Sequence, residues 1–181
     1  MMECERWLQA RINDLRRRSV LDQSTNVRKL PEKLQKSFTA FNSSELNVRG
    51  ESLILSVVKY EPDKVNQIRY ISMLVRSGCD PSIPDARHLR TPLMVACIRN
   101  NEAVALHLIT LNCNLVACDR LGNNALMYAT MYCQAIVVKR LMVQLAALWA
   151  FDAYTIKNCS GLTAESVARK NDRILFAKLV S

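Results

Sequence analysis

The sequence predicts an all-α fold: a helical solenoid of about four stacked hairpins, with capping helices on its N-terminal side. Two observations predict it. Thr91-Pro92-Leu93-Met94-Val95-Ala96 returns thirty-three positions later as Asn124-Ala125-Leu126-Met127-Tyr128-Ala129, and self-similarity at such a period marks stacked helical units. The chain also has only four glycines, at 50, 78, 122 and 161, each where such a unit would turn its backbone.

The elements follow in order. Thr91 suits an N-cap, since its hydroxyl can accept from an orphaned backbone N–H, and Pro92 fits the first helical position, where no donor is needed. Leu93 and Ala96 then face inward. The next unit opens Asp119-Arg120-Leu121-Gly122-Asn123-Asn124, with Asn124 as an equally good cap. Weaker copies start at Gly50-Glu51-Ser52-Leu53 and Gly161-Leu162-Thr163-Ala164. Second helices end in an apolar pair, clearest at Leu74-Val75-Arg76-Ser77-Gly78-Cys79-Asp80, where Gly78 would close the helix in the left-handed region. Its counterparts are Leu108-Ile109 and Leu141-Met142.

These segments resemble the ankyrin repeat, whose unit is a β-turn followed by two antiparallel helices opening Thr-Pro-Leu-His-x-Ala. The resemblance covers residues 50–181, and the turn at 119–124 matches the family's Asp-x-x-Gly-x-Thr with Asn as the cap. There are departures. Met94, Met127 and Leu55 stand where the family has His. Ser52 to Thr91 and Asn124 to Thr163 each span 39 positions, about six more than the family period. The excess is expected within Tyr60–Gln67 of the first repeat, where Pro62 forbids a continuous helix, and in a second helix of the third repeat lengthened through Leu145–Ala150.

Residues 1–31 read as a basic amphipathic helix over 3–18, with Trp7, Leu8, Ile12 and Leu15 on one stripe, followed by a linker. The helix either caps the array or offers a basic face to a partner or membrane surface. Arg16-Arg17-Arg18 is short for a nuclear-localisation patch. Residues 32–49 read as a short helix, a degenerate repeat or cap. At the other end, Arg173–Val180 reads as the second helix of the fourth repeat, with an apolar finish at Phe176, Leu179 and Val180 that invites contact with a partner or a second copy.

Half of the 181 residues are hydrophobic, which excludes general disorder and allows one sizeable core. The longest apolar run, Leu145 to Phe151, is too short to span a bilayer, and a soluble, intracellular, cytoplasmic chain is expected, with the nucleus open. The net charge of +9 is spread along the sequence and favours acidic partners. Seven cysteines, at 4, 79, 97, 113, 118, 133 and 159, stand singly and without metal-ligand spacing, so they read as reduced structural thiols.

Catalytic patterns are missing from the sequence. His88 and His107 are its two histidines, and neither neighbours a serine elbow or an HExxH spacing. The glycines are too dispersed for a phosphate loop. No enzyme activity, cofactor, metal or small-molecule substrate is therefore expected. The resemblance implies recognition instead, on a concave face made of turn tips and first helices. Carried over position by position, its variable turn residues are Arg87, His88, Leu89 and Arg90, then Arg120 and Leu121. The variable first-helix residues are Lys59 and Tyr60, Ile98 and Arg99, Met131 and Tyr132, and Lys170 and Asn171. Arginine and aromatic side chains commonly anchor interfaces, so the expected partner is a protein with an acidic or mixed surface. Two other readings stand beside it: anionic-membrane or nucleic-acid association through the N-terminal arginines, and assembly through the apolar C-terminal end.

Overall fold

In the computed structural model, the residues described are 46, 49–111 and 113–180. The expected helices over 3–18 and 32–41, and the linker between them, lie outside the described residues. Four first helices are present among those described: α1 (Leu53–Tyr60), α3 (Pro92–Ile98), α5 (Ala125–Tyr132) and α8 (Ala164–Lys170). Each is followed by a second helix: α2 (Lys64–Arg76), α4 (Glu102–Ile109), α6 (Ala135–Ala147) and α9 (Ile174–Val180). A single turn, α7 (Asp152–Thr155), sits between α6 and α8.

Every first helix starts the same way because the cap chemistry repeats. The side chains of Ser52, Thr91, Asn124 and Thr163 accept from the N–H groups of Leu55, Met94, Met127 and Ser166, at 3.2, 3.3, 3.0 and 3.3 Å. Each satisfies a donor that the helix itself cannot, stabilising it by about 1 kcal/mol. Met94, Met127 and Leu55 fill the family's His position as fully buried core side chains.

The long repeats owe their length to their second helices. α2 and α6 each have 13 residues, whereas α4 has 8. The additions lie at opposite ends. Gln67, in the first turn of α2, occupies the place of Asn101, the cap of α4, and the two side chains bond directly at 2.6 Å. The extra residues of the first repeat therefore precede Gln67, with Pro62 in the break between α1 and α2. Gln134 is the N-cap residue of α6, as Asn101 is of α4, so the third repeat's extra residues follow Met142.

First helices pack on first helices, α1 on α3, α3 on α5 and α5 on α8, while α2, α4, α6 and α9 pack in the same order beside them. The core runs continuously between these layers, through Leu55, Ile71, Leu93, Leu108, Leu126, Leu141 and Leu145. Burial of each such side chain stabilises the fold by roughly 1.5–3 kcal/mol, and no single hairpin could shelter them alone.

Turn fingers project from the start of each first helix. Within them Asp85 N–H donates to the Arg90 carbonyl, Asp119 to Asn123 and Asn158 to Leu162, at 2.9, 2.9 and 3.0 Å. One backbone hydrogen bond joins each finger to the one before: Ala86 N–H to Gly50 O, Arg120 to His88 and Cys159 to Leu121, at 3.0, 2.9 and 2.9 Å. At the third joint the approach is close. A Cβ on Gly122 would stand 3.0 Å from the Asn158 Cα, and its φ of +74° already favours glycine.

Candidate partner-binding surface

The finger bases and first-helix ends carry the sequence-predicted candidates, and the structure divides them by what they touch. Lys59 bridges Glu51 at 2.8 Å and Asp85 at 3.3 Å, so its ammonium is held between the first and second repeats. Arg90 stands 3.6 Å from the Asp119 carboxylate and lies over the Tyr128 ring, 5.7 Å from its centroid. The Tyr128 hydroxyl donates to the same carboxylate. Lys59 and Arg90 are therefore joints between repeats more than free handles. Ile98 and Met131 are half-buried against the core.

Other candidates are presented outward. Arg87 and Lys170 are exposed and have no ion pair among the described residues. Arg99 and Arg120 are exposed too, each donating to a carbonyl of the preceding repeat, Lys59 O at 2.6 Å and Ala86 O at 3.1 Å. A carbonyl bond fixes the guanidinium in place without neutralising it. Tyr60 is exposed and bonds with Arg49 and Glu51. Tyr132, 47% exposed, stacks on Tyr128 at 6.4 Å between ring centroids. At the fingertips, Leu89 and Leu121 add exposed apolar surface beside His88, and the backbone bond from Arg120 to His88 sets neighbouring tips side by side.

Charge on this face is sorted by depth. The carboxylates of Glu51, Asp85 and Asp119 are buried and partnered, while Arg87, Arg99 and Arg120 point out. Burial pushes the Asp85 carboxyl up, but the His88 N–H, the Lys59 charge and the Arg90 N–H outweigh it and hold it below its usual value. Burial, and then the bond to Asp119, push the Tyr128 hydroxyl up.

Two juxtapositions come from residues a full repeat apart, which sequence reading had taken singly. Cys97 and Cys133 are both fully buried, with the Cys133 Sγ 3.7 Å from the Cys97 carbonyl. The neighbouring Cys133 side chain, and then burial, push the Cys97 thiol well up. His107 Nε2 lies 2.8 Å from the Ser72 hydroxyl, which itself donates to the Ile68 carbonyl at 2.8 Å. Among the described residues no cluster of His, Cys, Asp and Glu could hold a metal.

Residues 63–152 match the family model for ankyrin repeats, in three copies. These are ankyrin repeats. The match takes in the long α2 and α6, so the enlarged repeats belong to the array as much as the 33-residue middle one. No curated protein matches the chain. Ankyrin repeats serve generally as protein–protein interaction modules, and this all-helical array, without strands among the described residues, is one.

At the C-terminal end the expected apolar finish is arranged differently from its sequence order. Val180 is buried, and Phe176 lies under the Arg173 guanidinium, 3.9 Å from its ring centroid. The exposed apolar side chains of α9 are Ile174 and Leu175.

Proposed function

We propose that this ankyrin array binds a protein partner of acidic or mixed surface on its concave face, as an adaptor or scaffold, and performs no reaction itself. The observation that carries this reading is the sorting of charge: Glu51, Asp85 and Asp119 are buried and partnered, while Arg87, Arg99, Arg120 and Lys170 remain exposed. At Arg99 and Arg120 an acidic segment would meet cations already fixed in position by backbone carbonyls, which lowers the ordering cost of binding. Leu89, Leu121 and Tyr132 supply the apolar area between them. Free buried thiols suit a reducing, intracellular setting.

Photo-crosslinking tests it. A photo-reactive residue in place of Leu121 should label a partner in cell extract, while one in place of Val65, exposed at the start of α2 in the other layer, should not. Arg87→Glu with Tyr132→Ala should abolish the Leu121 label and leave helical content unchanged. Equal labelling from both positions, or survival of the label in the double variant, would show that another surface does the binding.

A further inference from the structure

A second exposed surface lies away from the fingers, at the end of α6. Helix α6 buries Val137, Val138, Leu141 and Leu145 and presents Ile136, Lys139, Arg140 and Val143 on its opposite stripe. Beyond its last turn, Leu148, Trp149 and Phe151 are all exposed, Trp149 by 82%. The Trp149 and Phe151 rings meet edge to face, 6.0 Å apart. Trp149 also has a φ of +55°, in the left-handed region where a bulky residue is an outlier. It sits where a helix ordinarily ends on glycine, closed by Trp149 N–H to Ala146 O at 3.0 Å and Ala150 N–H to Leu145 O at 2.9 Å. Apart from the Phe151 contact, an indole so exposed gains little from packing in the isolated chain, and strain of this kind collects at functional sites.

Charge names the occupant. No Asp or Glu occurs in the sequence between Asp119 and Asp152, and the acid that the neighbouring repeat brings to α6, Glu102, accepts from the Gln134 N–H at 3.0 Å, at the helix end away from the aromatic tip. Neither Lys139 nor Arg140 has an ion pair among the described residues. A second copy of a chain with a net charge of +9 would be repelled here. Residues 146–149 are four exposed positions in succession, which makes a knob, not a groove. Aromatic rings at the end of a basic, apolar-flanked helix face are what lies well at the headgroup level of an anionic bilayer. Among the described residues no helix is long and apolar enough to cross one. We infer that the α6 stripe with Trp149 and Phe151 docks the array peripherally on an anionic lipid surface, leaving the concave face free for its protein partner.

Tryptophan provides the readout, because the chain has two, Trp7 and Trp149. In the full-length Trp7→Phe protein, emission reports Trp149 alone. Phosphatidylcholine vesicles containing phosphatidylserine should shift it to the blue and sediment with the protein, and pure phosphatidylcholine should do neither. Trp149→Gly with Phe151→Ser should abolish sedimentation in the otherwise wild-type chain, and glycine there relieves the backbone. Lys139→Gln and Arg140→Gln should weaken partitioning roughly fivefold for each cation removed, which decides the matter if the aromatic variant does not fold. Vesicle binding that survives these changes would place the contact elsewhere, as on residues 1–31, and overturn the inference. An unshifted Trp149 spectrum with anionic vesicles would overturn it too, leaving an acidic protein as the occupant of the knob.

Discussion

Replacing Gly122 by alanine tests whether touching fingers hold the third and fourth repeats together. Two costs arise there, and Gly161 separates them. Both glycines have nearly the same φ, +74° and +72°, but the added Cβ meets Asn158 Cα at 3.0 Å and Cys159 N at 3.2 Å at position 122, and nothing within 4 Å at position 161. The positive φ alone costs an L-residue roughly 1–2 kcal/mol, and the stiffer unfolded chain returns about 0.4–1 kcal/mol. Gly161→Ala should therefore destabilise by about 1 kcal/mol. Gly122→Ala adds overpacking against backbone that cannot rotate away, about 1–3 kcal/mol more, for a total of about 2–4 kcal/mol. At about 2–4 °C per kcal/mol for a chain of this length, thermal melts should separate the two variants by several degrees. Because a solenoid's stability is a sum of repeat and joint terms, the loss should be local. Amide exchange should speed up first in Ala164–Lys170 and Ile174–Val180, with Pro92–Ile98 little changed. Equal melting of the two variants, or uniform loss of protection, would refute the finger contact as a joint.

Two further outcomes follow from the geometry. Arg173 donates to the Thr130 carbonyl at 3.0 Å and to the Cys133 carbonyl, capping the C-terminal end of α5 from the fourth repeat while covering Phe176. Arg173→Ala should destabilise by about 1–2 kcal/mol, and Arg173→Lys should recover little of it, since a point charge cannot serve both carbonyls and the ring; a urea titration of the three proteins checks this. Burial lowers the His107 basicity, so the unfolded chain takes up a proton at higher pH than the folded one does. Stability is then full above the ordinary histidine value and falls as pH drops from about 6.5 toward the folded value. His107→Gln should remove that slope from a series of melts between pH 7.5 and about pH 5.

The architecture was legible because its determinants are local. Ser52, Thr91, Asn124 and Thr163 declare helix starts by chemistry that acts across three residues, and all four do cap helices. The lengthened third repeat showed as the apolar run through Leu145–Ala150, and Pro62 placed the break in the first. The surface was less legible because its determinants are supplied by the neighbouring repeat. Lys59 and Arg90 look like ordinary surface cations until Asp85 and Asp119, 26 and 29 positions later, are brought beneath them. Trp149 was read as part of an apolar helix. Its exposure depends on α6 ending at Ala147 without a glycine, and composition does not announce that. The signal that could have found it is the acid-free stretch from Arg120 to Phe151 around that apolar run.

The opposite overhangs of α2 and α6 make the repeats non-interchangeable. A stock 33-residue module would match the central unit in length, since α4 is the helix of ordinary length. The same module spliced over the third unit would delete the aromatic tip along with the overhang that bears it. Evolution, or an engineer, can thus exchange the middle of this array for any unit of equal length that also meets Lys59, Gln67 and Asp119, while its flanks remain bespoke.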